Sequence, residues 1–297
     1  MLTGVLMALL ASLGWAISSV IIKSLTDKID TITINTIRLW VGVSVLLLIL
    51  AASDELGSLY ALSTESILYI ISSGVLAMAI GDTIYIKSLS LLDASIAFPI
   101  AQCAFVLLTT IGAIMLLGES YSLLTFTGGG LILWGIYLIT VGSSKTTGDS
   151  QRLIVNRKGV PVAIVAAAAW AVATLALKTG SVGGNAIAVS VIRTVSSALV
   201  LTLVALPRLL RPTPQTNQFS TRNILLVVAA GLSTYGLASV SYVLALQMIG
   251  AGKTAILITS SPLLALPFAI FFLKEKPTRK TLLGMMISTV GVVLVVI

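Results

Sequence analysis

The 297-residue chain has no histidine, a single cysteine and few charged side chains. The absence of histidine excludes the histidine-based zinc, haem and protease sites. Because Cys103 stands alone, the chain forms no internal disulfide. Only 9% of the residues are charged, whereas soluble globular proteins carry about a quarter. The composition therefore excludes an ordinary soluble domain.

Catalytic motifs are equally scarce. The chain has no GxSxG motif and no pair of aspartates suited to magnesium. Gly250–Thr254 resembles the end of a P-loop, but the first glycine of that pattern would fall at Gln247. The segment also follows an apolar run, whereas a P-loop follows a strand. We therefore predict a protein that is not an enzyme and needs no cofactor or metal.

Apolar side chains dominate what is present. Hydrophobic residues make up 57% of the chain, and the mean hydropathy is +1.10. Ten apolar runs are long enough, at about 20 residues, to cross a ~30 Å hydrocarbon core. They cover residues 3–22, 31–51, 66–89, 94–117, 122–141, 159–178, 185–205, 222–246, 253–273 and 279–297. We predict an all-α, multi-pass protein of the cytoplasmic or plasma membrane, with ten transmembrane helices and the lipid bilayer as a partner.

The second half of the chain repeats the first. Equivalent residues recur in the same order, 155 to 157 positions apart: Trp15 and Trp170, Lys23 and Lys178, Arg38 and Arg193, Gly74 and Gly231, Tyr85 and Tyr242, Glu119 and Glu275, Gly128 and Gly284, Gly135 and Gly291. We predict two homologous halves, 1–141 and 159–297, joined by a polar linker, 142–158. Since five helices is an odd number, the second half should enter the membrane inverted.

The charges set the predicted orientation. The loop after the second run holds three acids and no base, whereas its counterpart in the second half holds three arginines. On this arrangement all but three of the 18 Lys and Arg residues lie on one side; the exceptions are Lys178, Arg193 and Lys253. Cytoplasmic loops carry an excess of Lys and Arg. We therefore expect a cytoplasmic linker, both termini outside, and no nucleic-acid partner.

Asp82 is the clearest ionisable residue inside an apolar run. Asp82 and Arg38 each lie about seven residues from the same predicted membrane side, so they share a depth of roughly 10 Å. A charged group at that depth requires a partner or a water-filled cavity. Two interpretations stay open: a structural Asp82–Arg38 ion pair, and a protonatable carboxylate that faces a pathway through the membrane. The two are compatible.

The second half departs from the first at this point. Arg193 keeps the position of Arg38, but Ser239 replaces Asp82. Arg193 therefore lacks the acidic partner that its counterpart has available. It could extend to the outer headgroups, or it could attract an anion such as a substrate carboxylate.

Further candidates are polar or aromatic side chains at depth. Trp15 and Trp170 either pack between helices or line a central cavity, and buried hydroxyls often bond only to backbone. The predicted pathway residues are Trp15, Ser19, Asp82, Tyr85, Gln102, Trp170, Arg193, Tyr235, Tyr242 and Ser260. Pro99 and Pro262 should kink their helices, because proline breaks a backbone hydrogen bond.

Several of these features resemble a known family. Trp15 followed by Lys23, the Ile37–Arg38 opening of the second run and Leu-Gly-Glu at 117–119 look like the EamA-type branch of the drug/metabolite transporter superfamily. The resemblance covers both halves, although the second copy reads Leu-Lys-Glu at 273–275. It implies ten helices in two inverted halves around a central cavity. It also implies transport of amino acids, other metabolites, drugs or nucleotide sugars, with both termini in the cytoplasm in many members. That last implication opposes the orientation expected from the charges, which we retain.

We therefore predict a secondary transporter. It should export a small polar or amphipathic, amino-acid-like metabolite by alternating access, driven by a gradient because the chain has no nucleotide-binding module. Proton exchange at Asp82 and facilitated diffusion both remain open. The alternatives are a flippase for a lipid-linked sugar and a passive channel. The sequence does not set the oligomeric state, and a monomer is compatible with it.

Overall fold

The computed structural model describes residues 1–23, 25, 28–89, 91, 94–143, 159–209, 220–261, 264 and 278–296. Nearly all of these residues are helical, and they contain no strand. Most of the predicted linker, and Pro262, lie outside the described residues.

Twelve α-helices follow one another in the described residues. The first half contains α1 (Leu2–Lys23), α2 (Thr31–Ala52), α3 (Thr64–Gly74), α4 (Asp82–Leu89), α5 (Ala94–Leu117) and α6 (Leu123–Ser143). The second contains α7 (Gly159–Gly180), α8 (Ala186–Leu209), α9 (Thr221–Gly231), α10 (Ser239–Ile249), α11 (Ala251–Ile258) and α12 (Arg279–Val296). A 3₁₀ turn, Leu56–Leu59, follows α2.

Six spans in the described part of the chain are long and apolar enough to cross a membrane. They are Ile32–Ala52, Thr64–Tyr85, Ile100–Leu117, Gly159–Gly180, Ala186–Leu206 and Thr221–Ile249. Three shorter apolar stretches accompany them: Leu2–Ser18, Leu123–Leu138 and Leu282–Val295. The prediction of an all-helical, multi-pass membrane protein is confirmed.

Equivalent helices of the two halves share two local features, a serine N-cap and a π-helical segment. Ser63 caps α3 by accepting a hydrogen bond from the Ser66 amide at 3.1 Å, and Ser220 caps α9 in the same way. Each helix then runs into a seven-residue π-helical segment, Val75–Gly81 after α3 and Leu232–Ala238 after α9. The π segments stand 157 positions apart, so the structure repeats at the spacing found in the sequence.

The last helices of the two halves, α6 and α12, pack closely against each other. A β-carbon on Gly128 would lie 2.6 Å from the Gly291 carbonyl oxygen, and one on Gly135 would collide with the Gly284 carbonyl. Gly128 thus faces Gly291 while Gly135 faces Gly284, so the two helices are antiparallel. Ser288 adds a hydrogen bond from its hydroxyl to the Ile132 carbonyl at 3.3 Å. Small residues allow this approach, as expected for helix pairs in a membrane.

Contacts between the halves come in exchanged pairs. In three cases a contact between a residue of the first half and a residue of the second recurs between the two equivalent residues. The pairs are Gly74 with Arg193 and Gly231 with Arg38, Tyr85 with Trp170 and Tyr242 with Trp15, and Gly128 with Gly291 and Gly135 with Gly284. The largest buried apolar cluster likewise draws on both halves, with Ala8 and Phe105 from the first and Ala167, Tyr242 and Leu257 from the second.

Candidate functional site

The site is built around Asp82, the first residue of α4. The Trp170 indole donates a hydrogen bond from Nε1 to the Asp82 carboxylate at 2.9 Å, which joins α4 to α7. Gly81 makes room for this contact, because a β-carbon there would lie 2.6 Å from Cδ1 of Trp170. The carboxylate is thus held by the opposite half of the chain.

Aromatic rings surround this bond. Tyr85 lies one turn after Asp82, and its ring centroid is 5.2 Å from that of Trp170. Phe105 of α5 meets Trp170 edge-on at 6.4 Å. The equivalent pair, Trp15 of α1 and Tyr242 of α10, stands 5.3 Å apart. These separations fall in the range of favourable ring pairs.

Arg38 of α2 is buried and well supplied with acceptors. Nη1 donates to the Asn35 amide oxygen at 2.7 Å, and Nη2 donates to the hydroxyls of Ser18 at 3.2 Å and Thr234 at 2.7 Å. Its guanidinium carbon lies 5.5 Å from the Tyr235 ring centroid, within cation–π range. Nε alone has no hydrogen-bond partner.

The direct Asp82–Arg38 ion pair is not formed in this structure. The nearest partner of the carboxylate is Trp170, and the terminal nitrogens of Arg38 point to hydroxyl and amide oxygens. The equal depth expected from sequence did not fix which faces of the helices meet.

Arg193 of α8 lies inside the protein, with 5% of its surface exposed. Nε donates to the Ser73 hydroxyl of α3 at 3.2 Å, and the guanidinium carbon lies 5.6 Å from the Tyr242 ring centroid. Of the two alternatives left open for Arg193, extension to the outer headgroups is not seen, because the side chain packs between the halves. Together these residues form what we call the central cluster: Arg38, Asp82, Trp170, Arg193, Tyr235 and Tyr242.

One face of α7 connects the central cluster to one end of the molecule. Thr174, one turn after Trp170, shares a hydrogen bond of 2.8 Å with the Tyr242 hydroxyl. Lys178, a further turn along, donates to the Leu246 carbonyl at 2.6 Å and the Gln247 carbonyl at 3.2 Å. A lysine there also complements the negative end of the α10 dipole.

A cavity of about 800 Å³ begins at Lys178, and we call it the end cavity. Its lining includes Glu119 and Tyr121 from the first half and Lys178, Gln247 and Lys253 from the second. The lining does not include a residue of the central cluster. The end cavity therefore lies about two helical turns along α7 from Trp170.

Glu119 and Tyr121 join the halves beside the end cavity. The Glu119 carboxylate accepts hydrogen bonds from the amides of Ala251 at 2.7 Å and Gly252 at 3.2 Å, at the positive end of α11. The Tyr121 hydroxyl donates to the same carboxylate and accepts from Gly252 at 3.1 Å. Burial, with the hydrogen bond to Glu119, raises the pKa of Tyr121, so the phenol keeps its proton at neutral pH. Gly250, with φ +83°, leaves space for the carboxylate.

Other predicted pathway residues lie away from these contacts. Ser260 is fully buried, and among the described residues its hydroxyl donates to the Leu257 carbonyl three residues before it. Gln102 is half-buried on α5. The side chains of Ser19 and Pro99 lie outside the described part of the chain, like Pro262. The sequence analysis did not single out Ser73 or Thr234. Ser73 lies just before the first π segment, and Thr234 lies within the second. The repeated Gly74 and Gly231 nearby were the available signal.

Comparisons with known proteins agree with this architecture. The model of the EamA-like transporter family matches residues 2–141 and, separately, residues 157–297. No curated protein matches the chain. A solved structure described as "Crystal structure of protein" has a TM-score of 0.81, covers 98% of this chain and 95% of its own, and is 16% identical. At that identity the likeness concerns the fold alone. Since the family model matches both halves, the chain belongs to the EamA-like transporter family.

Proposed function

We propose that the protein is a secondary transporter that exports a small polar or amphipathic metabolite by alternating access. The observation that carries the proposal is the central cluster, in which charged side chains of each half are held by groups of the other. Ionisable residues inside a membrane protein are costly and mark substrate or ion pathways by default. Proton exchange at Asp82 and facilitated diffusion are both compatible with this cluster.

Ten transmembrane helices in two inverted repeats are part of the proposal. Each α3–π–α4 and α9–π–α10 run counts as one spanning helix. The exchanged contacts and the antiparallel packing of α6 on α12 are what a two-fold axis in the membrane plane requires. Alternating access then amounts to motion of one half against the other.

The proposed pathway runs from the end cavity along α7 to the central cluster. Trp170, Thr174 and Lys178 recur every four residues and so share one face of α7. The hydrogen bonds that join Glu119 and Tyr121 to α11 hold the two halves together at the same end of the molecule. By the charge bias, this end with Lys178 and Lys253 is the outer side of the membrane.

Counterflow in liposomes tests the transport function. Purified protein is reconstituted into vesicles loaded with one unlabelled metabolite of a panel, and uptake of the labelled compound is followed. We expect trans-stimulation for at least one metabolite, which a channel does not give. Trp15→Ala should lower the initial rate at least several-fold, because it removes the ring against Tyr242.

Trp134→Ala is the matched control for counterflow. Trp134 lies on α6 with 60% of its surface exposed, so its loss should leave the rate near that of the unmodified protein. Absence of trans-stimulation across the panel would rule out a carrier of these solutes. Movement of a labelled lipid-linked sugar between leaflets would instead favour the flippase alternative.

Cysteine labelling tests the proposed orientation. In a Cys103→Ser background, Ser150→Cys places a thiol in the linker, and a second variant carries an added cysteine after Ile297. We expect an impermeant thiol reagent to label the terminal cysteine in intact cells, and the linker cysteine only after lysis. The reverse pattern would show the orientation to be wrong and leave the fold unaffected.

A further inference from the structure

The two equivalent arginines of the central cluster are used differently. Arg38 donates from both terminal nitrogens to three side-chain oxygens. Arg193 makes one side-chain hydrogen bond, from Nε to Ser73, and its terminal nitrogens donate to no residue of the described chain. Yet Arg193 is the more buried of the two, at 5% exposed against 8%.

The contacts of Arg193 fix the side chain, and no described residue accepts a hydrogen bond from its terminal nitrogens. Ser73 holds Nε from one side, and Tyr242 lies against the face of the guanidinium. Gly74 lets α3 approach closely, since a β-carbon there would lie 3.1 Å from Cγ of Arg193. The two terminal nitrogens remain as a parallel pair of donors, which is the geometry that binds a carboxylate with two hydrogen bonds.

Charge in the cluster points to the same ligand class. Arg38 and Arg193 bring two positive charges, and Asp82 brings one negative charge that is already bonded to Trp170. A buried charge without a partner is costly in a low-dielectric interior. One further negative charge beside Arg193 makes the cluster neutral, whereas a cation would add to the excess.

From these observations we propose that Arg193 is the anion receptor of the transport site and that the substrate is a small organic monocarboxylate. The inference rests on the proposed transport function, and it names the substrate class of the same site. Tyr242 and Trp15 supply an aromatic wall beside the receptor, so the carboxylate is carried on a partly apolar body. Both terminal nitrogens of Arg38 already donate to side-chain oxygens, so Arg38 serves to position the helices.

Ligand-dependent thermal unfolding of the purified full-length protein in detergent tests the proposal. Benzoate is the probe, with neutral benzamide and cationic benzylamine as matched compounds of similar size. A ligand that binds only the folded state raises the unfolding temperature with concentration, which yields an apparent Kd. We expect benzoate to bind more tightly than benzamide and benzylamine not to bind.

Three variants locate the binding. Arg193→Gln should weaken benzoate about 10- to 100-fold, the range for losing a hydrogen-bonded charge, and leave benzamide unchanged. Arg193→Lys keeps the charge without the paired donors. Its Kd for benzoate should lie between those of the unmodified protein and Arg193→Gln. Ser73→Ala keeps the arginine but removes the acceptor of its Nε, so it should weaken benzoate binding several-fold. This variant tests the proposal even if Arg193→Gln does not fold.

Lys280→Gln is the matched control, because Lys280 is an exposed cation of α12 that lies outside both the central cluster and the lining of the end cavity. We expect it to bind benzoate like the unmodified protein. Equal binding of benzoate and benzamide, an unchanged Kd in Arg193→Gln, or loss of binding in Lys280→Gln would each overturn the proposal. Benzoate binding that depends on Arg193 without any counterflow would overturn the transport function and leave the anion site standing. Counterflow of amines but not of carboxylates would overturn the anion site and leave the transport function standing.

Discussion

Gly135→Ala is expected to lower the unfolding temperature of the purified protein by several degrees. The added methyl group would lie 2.7 Å from the Ser288 amide nitrogen and would collide with the Gly284 carbonyl. Neither is the movable tip of a side chain, so α6 and α12 must separate. Overpacking of this kind costs about 1–3 kcal/mol, more than the gain of up to about 1 kcal/mol from alanine's helix propensity.

Gly130→Ala in the same helix is the matched control for this prediction. Nothing lies within 4 Å of a β-carbon at Gly130. The substitution should therefore leave the unfolding temperature unchanged or raise it slightly. Similar losses in both variants would mean that helix backbone effects, rather than the contact with α12, set the stability of α6.

Trp170→Phe is expected to reduce the free energy of unfolding by about 2 kcal/mol, the range for a hydrogen bond to a charged group. The substitution keeps an aromatic ring near Tyr85 and Phe105 but removes the donor at 2.9 Å from Asp82. The carboxylate is then left without a hydrogen-bond donor among the described side chains. Asp82→Asn added to Trp170→Phe should recover part of the loss, because a neutral amide is less costly to bury.

Trp40→Phe is the control, since it deletes an indole donor whose acceptor is neutral. Trp40 donates to the Thr202 hydroxyl at 3.0 Å and is 40% exposed. Hydrogen bonds of this type between membrane helices average about 0.6 kcal/mol. Equal destabilisation by both tryptophan substitutions would show that the charge of Asp82 is not involved. The unmodified protein, Trp170→Phe, Trp170→Phe with Asp82→Asn, and Trp40→Phe should be compared by denaturant unfolding under one set of conditions.

The sequence was informative wherever a feature repeats. The spacing of 155 to 157 residues identified Arg38 with Arg193, Trp15 with Trp170 and Tyr85 with Tyr242 before any contact was known. The structure uses those residues in the exchanged contacts between the halves. The repeated glycines of α6 and α12 lie where these two helices pack closely, because small residues let helix backbones approach each other in a membrane.

The partners of the buried charges could not be read from the sequence. Depth along the membrane follows from counting residues, but the face that a helix presents depends on how all helices pack. Asp82 and Arg38 share a depth, yet the Asp82 side chain meets Trp170. For Arg193, the length of its side chain allowed an approach to the headgroups, and only the position of Ser73 and Tyr242 decided otherwise.

The π-helical segment before Asp82 gives the cluster a means of rearranging without unfolding. A π turn closes its hydrogen bonds over five residues rather than four and so holds one residue more than an α turn. Converting Val75–Gly81 to α-helix would advance everything after it by one position, which is a rotation of about 100° around the helix axis. Asp82 would then leave Trp170 and face a different neighbour, while α3 stayed in place. The second half has the same segment before Ser239, so the same conversion there would rotate Ser239 and the rest of α10 in the equivalent way.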